Sequence, residues 1–402
     1  MEKLLLVLAV ILAIIGIAQI AKVYQLSADL QKRREEDISD KSNRVNANLL
    51  LLFMIALFGT FIYQLIAYDH VLLPLAASEH GAAIDTLLNV NWVILFTVFF
   101  LVNFLLFFFS WKYVYNKNRK AYYFAHDNRL ELIWTVIPSI VLAFIIIYGL
   151  RTWNQVMSDP GDEALQVQLY AKQFDWTARY AGPDGVLGES SYLMITGQNP
   201  LGIITDQTID EKVAELKENI EKTEERLRNE ILPDDKVEEL EDKIASKKRQ
   251  IAKILDFRKS NKDFSTAYDD VIVKGEFRLP IRKDVNFQIN SRDVIHSAYM
   301  PHFRAQMNAV PGMTTKFAFK PTVSTDSMRT VLDDPDFNYV LLCNKVCGSA
   351  HYNMQMNIIV ESEENFNTWL SEQKPFVSPE ELKAIQEEEE KNKEESRLAE
   401  NN

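Results

Sequence analysis

Four long runs without a single charge constrain this chain more than anything else in it: Leu4–Ala21, Leu49–Tyr68, Trp92–Trp111 and Leu132–Leu150. Each approaches the ~20 residues that a helix needs to cross ~30 Å of hydrocarbon. Lipid offers the backbone no hydrogen-bond partner, so a run of this kind spans as a helix that pairs its own N–H and C=O groups. Phe99-Phe100-Leu101 and Phe107-Phe108-Phe109 are apolar all round, which suits lipid contact. The first run, following Met1-Glu2-Lys3, leaves two readings: a retained helix or a secretory signal. It is long for a signal core, and no small-x-small cleavage site precedes the polar segment after it.

The connections set the orientation through their basic residues. Lys32, Arg33, Arg34 and Lys41 follow the first run, and Lys117, Arg119 and Lys120 follow the third. Asp69–Asn91, between the second and third, has no Lys or Arg. The first and third connections are therefore expected inside and the second outside. The fourth helix then delivers everything after Arg151 to the outer face.

That remainder carries most of the charge. The net charge is −12, which argues against a nucleic-acid partner, because phosphate binding needs a basic surface. An acidic face would instead attract a basic protein such as a small cytochrome. The two cysteines, Cys343 and Cys347, are too few for a disulfide-built scaffold, and no C-x-x-C-H is present to attach a haem.

From about Ala164 short alternating runs replace the apolar ones. Gln166–Tyr170, Val285–Ile289, Thr315–Phe319, Tyr339–Leu342 and Met356–Val360 read as strands, and their regular spacing suggests a β-sandwich. Between Asp206 and Lys259 the pattern changes. Ile209, Val213, Leu216, Ile220, Thr223 and Leu227 follow 4-3 spacing, and Val237, Leu240, Ile244, Ile251 and Ile254 follow Pro233-Asp234-Asp235. This reads as two antiparallel helices zipped by a heptad seam, an inserted α-helical coiled-coil hairpin. It is either an exposed structural hairpin or a docking arm for a neighbour; the sequence leaves both open. The tail from Ser378, with its Glu387–Glu390 run, reads as a solvated helix or disordered segment.

The chemistry concentrates in CNKVCGSAHYNM, Cys343 to Met354, which packs two thiols, the imidazole of His351 and the thioether of Met354 into one short segment. His296 lies upstream in VIHSAYMPHF. Soft sulfur ligands with imidazole select copper over hard cations. A Cys2His2 zinc site fits the inventory, as does a disulfide, but the added Met and the short Cys-to-Met loop favour copper. A mononuclear blue-copper site uses one Cys. Two cysteines on one loop can bridge two metals, with His296 and His351 capping one each. An electron shared by two metals changes each bond only slightly. His302, next to Pro301, is read as a surface histidine, and Met356 as core.

At these residues the chain resembles subunit II of cytochrome c oxidases in its CuA-containing, bacterial haem–copper form. DVIHS (Asp293–Ser297) resembles the strand bearing the first histidine ligand, VPG (Val310–Gly312) the family's P-G turn, and Cys343–Met354 the ligand loop. ELIWTVIP (Glu131–Pro138) resembles the start of the family's second membrane helix, and QFDW (Gln173–Trp176) the aromatic motif before the electron-entry site. The resemblance covers roughly residues 90–200 and 265–372.

It implies a membrane-anchored all-β cupredoxin-like sandwich with N-terminal transmembrane α-helices. The divisions would be an anchor at 1–157, a cupredoxin-like CuA domain at 158–205 and 260–376, the inserted hairpin at 206–259 and a charged tail at 377–402. It implies a binuclear copper centre, CuA, held by His296, Cys343, the carbonyl of Lys345, Cys347, His351 and Met354. Trp176 would take the electron from cytochrome c, through an indole expected to be exposed. Glu131 would sit at a proton-channel mouth.

The family carries Glu where Lys345 stands, a side chain that helps hold an interface magnesium. A protonated lysine offers no lone pair, so no magnesium is expected through Lys345. The two extra membrane helices and the hairpin also depart from the family pattern.

The implied function is electron entry to a proton-pumping oxidase, with haem and CuB in subunit I rather than in this chain. The implied partners are subunit I and other oxidase subunits, cytochrome c or a cytochrome c domain, a quinol:cytochrome c oxidoreductase in a supercomplex, and membrane lipid. The implied location is the bacterial inner membrane, multi-pass, with the CuA domain on the periplasmic side. The alternatives are a quinol oxidase subunit II, which lacks the copper ligands present here, and the CuA subunit of another respiratory reductase, against which Glu131–Pro138 speaks. A copper chaperone or membrane scaffold is a third class.

Overall fold

The structure, a computed structural model, describes residues 2–30, 39–116, 118–260, 263–387 and 391. Lys32, Arg33, Arg34 and Lys117 of the charge argument, and most of the Glu-rich tail beyond Glu387, lie outside these residues. The chain forms two compact units. One takes in the residues up to Leu72 with Val90–Val141; the other takes in Leu73–Asn89 and the chain from Leu142.

The first unit is helical: α1 (Glu2–Leu30), α2 (Asp40–Ala67), most of α3 (Glu79–Lys112) and the first part of α4 (Asn128–Val156). α2, α3 and α4 are long and apolar enough to cross a membrane. α1 contains the first apolar run, but among the described side chains its apolar stretch is Ile11–Ser27, shorter than a span. Among the described residues three helices are therefore long and apolar enough to span, and the side chains of the first run before Ile11 lie outside the described residues. Phe58 meets Phe99 and Phe100 edge-on, Phe61 meets Phe96, and the Trp111 indole donates to Asn48 Oδ1 at 3.0 Å, so α2 and α3 pack through aromatics. The hydroxyls of Thr97, Ser110 and Ser139 each donate to the carbonyl four residues back, which satisfies them without a partner helix. Pro138 sits inside α4 without ending it.

The second unit is built on two five-stranded sheets. β1 (Leu165–Lys172), β2 (Asp175–Tyr180), β3 (Val271–Lys274), β5 (Val285–Ser291) and β8 (Thr315–Phe319) form one, in the order β3-β2-β1-β5-β8. β4 (Glu276–Pro280), β6 (His296–Met300), β7 (Ala305–Ala309), β9 (Tyr339–Cys343) and β10 (Gln355–Glu361) form the other, in the order β4-β10-β9-β6-β7. β1 runs parallel to β5 and β10 parallel to β4; the other pairs are antiparallel. Val285, Phe287 and Ile289 of β5 alternate into the core, where Phe287 stacks on Phe319 at 5.1 Å, the period-2 pattern of a half-buried strand. β1 breaks that pattern because both its faces are covered. Val167, Leu169 and Ala171 enter the inter-sheet core, while Tyr170 packs outward against Leu201, Ile203 and Ala267.

The covering residues come from the insertion between β2 and β3. Its helices are α5 (Asp206–Asn229) and α6 (Asp234–Lys259). Thr205 and Thr208 cap α5 reciprocally, satisfying two of its free N–H groups. Ile209, Val213 and Leu216 share one buried cluster with Ile254, Ile220, Leu240 and Ile244 are also buried, and Arg258 joins the roots through Asp206 and Asp210. At ~1.5 Å per residue the hairpin reaches about 36 Å. Beneath it, Arg179 and Asp270 form a fully buried ion pair at 3.5 Å.

Leu73–Asn89 also belongs to this unit. Ala77 N–H donates to the His302 carbonyl at 2.7 Å, Ser78 Oγ to the Phe303 carbonyl, and Arg304 pairs with Asp85 at 2.8 Å. The connection between the second and third apolar runs is thus part of the β-domain's surface, and α3 begins at Glu79, well before Trp92.

Candidate metal centre

Cys343 ends β9, whose partner β6 begins with His296. Their register pairs Cys343 with Ala298, two residues from His296, so the same-face alternation of a strand brings the imidazole beside the thiol. The following loop closes on itself: His351 N–H donates to Gly348 O, Met354 N–H to His351 O, and Cys343 N–H to Met354 O at 3.0 Å. That closure carries Cys347, His351 and Met354 back over Cys343.

The two sulfurs are free thiols 3.8 Å apart, far beyond the ~2.05 Å of a disulfide. His296 Nδ1 lies 3.9 Å from Cys343 Sγ, His351 Nδ1 lies 3.5 Å from Cys347 Sγ, and Met354 Sδ lies 3.8 Å from Cys347 Sγ. The Lys345 carbonyl accepts from Cys343 Sγ at 3.2 Å. Ligands bound at ~2.0–2.3 Å around one tetrahedral metal stand roughly 3.3–3.8 Å apart, so the donor spacing is close to that of a shared metal site. The donor set of two thiols, two imidazoles, a thioether and a carbonyl is that of a soft metal. Burial pushes the Cys347 thiol up, to about 11, and neighbouring Cys343 adds to the shift. Two adjacent buried thiolates repel, and bound cations are what make them stable together.

Asp293 orients His296. Its Oδ1 accepts from His296 Nε2 at 2.8 Å and its Oδ2 accepts from Gln173 N–H at 2.7 Å, which leaves Nδ1 facing the sulfurs. Burial pushes the Asp293 carboxyl upward, but the Gln173 N–H and the His296 ring outweigh it and hold it below the usual carboxylate range. Gln173 Nε2 also donates to the Cys347 carbonyl at 2.6 Å, tying the β1–β2 turn to the ligand loop. The sequence places Asp293 and Gln173 inside motifs but gives neither a role; only their convergence in space does.

Trp176 differs from expectation. It is 0% exposed, and its ring meets His296 edge-on at 6.3 Å. It lies in the inter-sheet core because β2 presents Trp176, Ala178 and Tyr180 inward. The aromatic nearer the surface is half-buried Phe174, whose ring edge lies 2.8 Å from where a Cβ on Gly348 would stand. His302 is not a surface histidine either: it is half-buried between Phe337 and Tyr339, and burial lowers its pKa. Met356 is buried as expected. Glu131 is exposed in the first turn of α4, 3.9 Å from His126, and belongs to the helical unit.

Two family models match. Cytochrome C oxidase subunit II, transmembrane domain, covers residues 67–152, and Cytochrome C oxidase subunit II, periplasmic domain, covers residues 260–363. The alternative cytochrome c oxidase subunit 2 of Bradyrhizobium diazoefficiens is 28% identical over 295 residues, 73% of this chain and 81% of that protein. The cytochrome c oxidase subunit 2 of Thermostichus vulcanus is 25% identical over 315 residues, 77% of this chain and 81% of that protein. Among solved structures, the periplasmic domain of subunit II of cytochrome oxidase (CoxB) of Bradyrhizobium japonicum is 16% identical, with 54% of this chain and 95% of that chain covered and a TM-score of 0.27.

Proposed function

Because this chain belongs to the cytochrome c oxidase subunit II family, membrane-anchored with a periplasmic domain, we propose that it is the electron-entry subunit of a bacterial proton-pumping haem–copper oxidase. In this reading it spans the inner membrane several times, receives electrons from cytochrome c or a cytochrome c domain, and hands them to subunit I, where haem and CuB reduce oxygen to water. The observation that carries the reading is the convergence of His296, Cys343 and Cys347 within 4.8 Å of one another, with His351 and Met354 against Cys347.

His296, Cys343, Cys347, His351, Met354 and the Lys345 carbonyl would hold the copper pair of CuA, which when bound takes up and releases one electron at a time. The residues around them set its working conditions. Asp293 fixes the tautomer and direction of the His296 ring, and second-shell partners of this kind raise a ligand's basicity. Trp176 closes the inner side and keeps His296 from rotating. Phe174 is half-buried with its ring edge against Gly348 of the ligand loop, whereas Trp176 is fully buried, so we assign electron entry to the Phe174 side rather than to Trp176. Lys345 contributes its carbonyl, while its cationic side chain makes no magnesium ligand. Glu131, in the first turn of α4, is assigned to proton delivery toward subunit I.

Stopped-flow reduction of the purified oxidase by reduced cytochrome c tests this. Copper should be reduced before the haems in the parent. Cys343→Ser should abolish fast haem reduction, with the subunit still in the membrane. Equal haem reduction rates in parent and Cys343→Ser complexes would overturn the reading.

A further inference from the structure

Four loops meet at the metal-bearing end of the β-domain: the β1–β2 turn, Arg292–Ile295, Val310–Thr314 and Asn344–Asn353. Their charges run opposite to the chain as a whole. They and their flanking positions carry Lys172, Arg292 and Lys345 against Asp175 and Asp293. Asp293 is committed to Gln173 N–H and His296, and Asp175 Oδ1 accepts from Trp176 N–H at 2.9 Å. Among the described residues, none of the three cations makes an ion pair there. The chain's acidity lies outside these loops, in the tail, the hairpin and the rest of the β-domain.

The same loops gather exposed apolar side chains. Val346 is 83% and Tyr352 87% exposed, both within the ligand loop, and Val294, Ile295 and Met313 are also exposed. A charge-poor apolar centre with a rim of one sign is the anatomy of a transient docking face. Ligand loops need not be greasy outside, since Asn344 and Ser349 on the same loop are exposed and polar.

We propose that this face docks an electron-donor protein whose own contact surface is acidic around an apolar centre, so that the donor is recognised through Lys172, Arg292 and Lys345 and seated on Val346 and Tyr352. The proposal rests on the electron-entry reading and replaces the expectation, drawn from the net charge, of a basic donor. Rim charges govern encounter rate and salt dependence, and the apolar centre governs residence.

The test uses the purified oxidase complex and two probes: a basic mitochondrial-type cytochrome c, and the same protein with its lysines succinylated and therefore acidic. The acidic form should show the lower KM at low salt, rising roughly tenfold or more as ionic strength screens the rim. Lys172→Glu with Arg292→Glu should reverse the preference and leave the copper spectrum unchanged. Tyr352→Ser should raise KM for the acidic form several-fold at every salt concentration. A preference for the basic form in the parent, or a preference for the acidic form that survives in the double variant, would overturn the proposal, as would loss of subunit I from the double variant, which would make this face an assembly interface. If neither probe reduces the copper signal ahead of the haems, the electron-entry reading itself fails, a result separate from either of those.

Discussion

Gly348→Ala probes how the ligand loop is held. Gly348 has φ of 144°, a region that side-chain-bearing residues occupy at a cost of about 1–3 kcal/mol. A Cβ there would also stand 2.8 Å from the Phe174 ring and 2.9 Å from Gln173 Nε2. Phe174 packs against the inter-sheet core and cannot swing aside freely, so the overlap adds about 1–3 kcal/mol more. The low ends together make about 2 kcal/mol, a loss of roughly 30-fold in copper affinity at ~1.4 kcal/mol per tenfold. The strain acts on binding because Gly348 follows Cys347 and its carbonyl accepts the His351 N–H. Chelator competition on the purified complex, followed by the copper absorption, measures it. Adding Phe174→Ala should return the overlap share, about fivefold, and leave the backbone share, a coupling that only contacting residues show. Parent-like copper retention in Gly348→Ala would refute the geometry.

Three further outcomes follow from other contacts. Asp293→Ala frees the His296 ring and should weaken copper binding by roughly 10–100-fold, read by the same competition; an unchanged affinity would mean that the hydrogen bond does not orient the ligand. Asp85→Ala leaves the Arg304 guanidinium, 8% exposed, without its carboxylate and should cost about 3 kcal/mol, visible as a lower thermal midpoint; a parent-like midpoint would count against the strap of Leu73–Asn89. Burial pushes the Asp270 carboxyl up to about 7, against opposition from Arg179 and the Gly188 N–H. The folded state therefore holds a proton that the unfolded chain releases near its ordinary carboxylate pKa. The associated stability is full at low pH and is lost as pH rises through about 7. Asp270→Asn should flatten that profile, and a parent profile that rises over the same range would contradict it.

What the sequence disclosed depends on how local each cause is. The alternation of Val285, Phe287 and Ile289 is written in β5 itself, and so is the heptad seam from Ile209 to Ile254, because one buried face repeats along the chain. β1 was less legible, since the cover over Tyr170 comes from Leu201, Ile203 and Ala267 in a distant insertion. The donors Cys343, Cys347, His351 and Met354 fall within one loop, so residue type and spacing suffice to single them out. His296 needs the β6–β9 register to join them. The burial of Trp176 did not follow from its motif: two aromatics stand two residues apart at the β1–β2 turn, and only the packing says that Phe174 is half-buried and Trp176 fully buried. Net charge is a sum over the chain and does not report that Lys172, Arg292 and Lys345 stand together at the metal-bearing end. The apolar count of α3 marked its span but missed the segment from Glu79 that joins the β-domain.

An EPR spectrum of the oxidised, purified complex, recorded with a copper and zinc count, bears most directly on the centre built by Cys343, Cys347, His296, His351 and Met354. Two coppers per subunit at this site, sharing one unpaired electron with equal hyperfine coupling to both nuclei, is the predicted result. A single copper with its own localised spin, a zinc in place of copper, or a Cys343–Cys347 disulfide would contradict it.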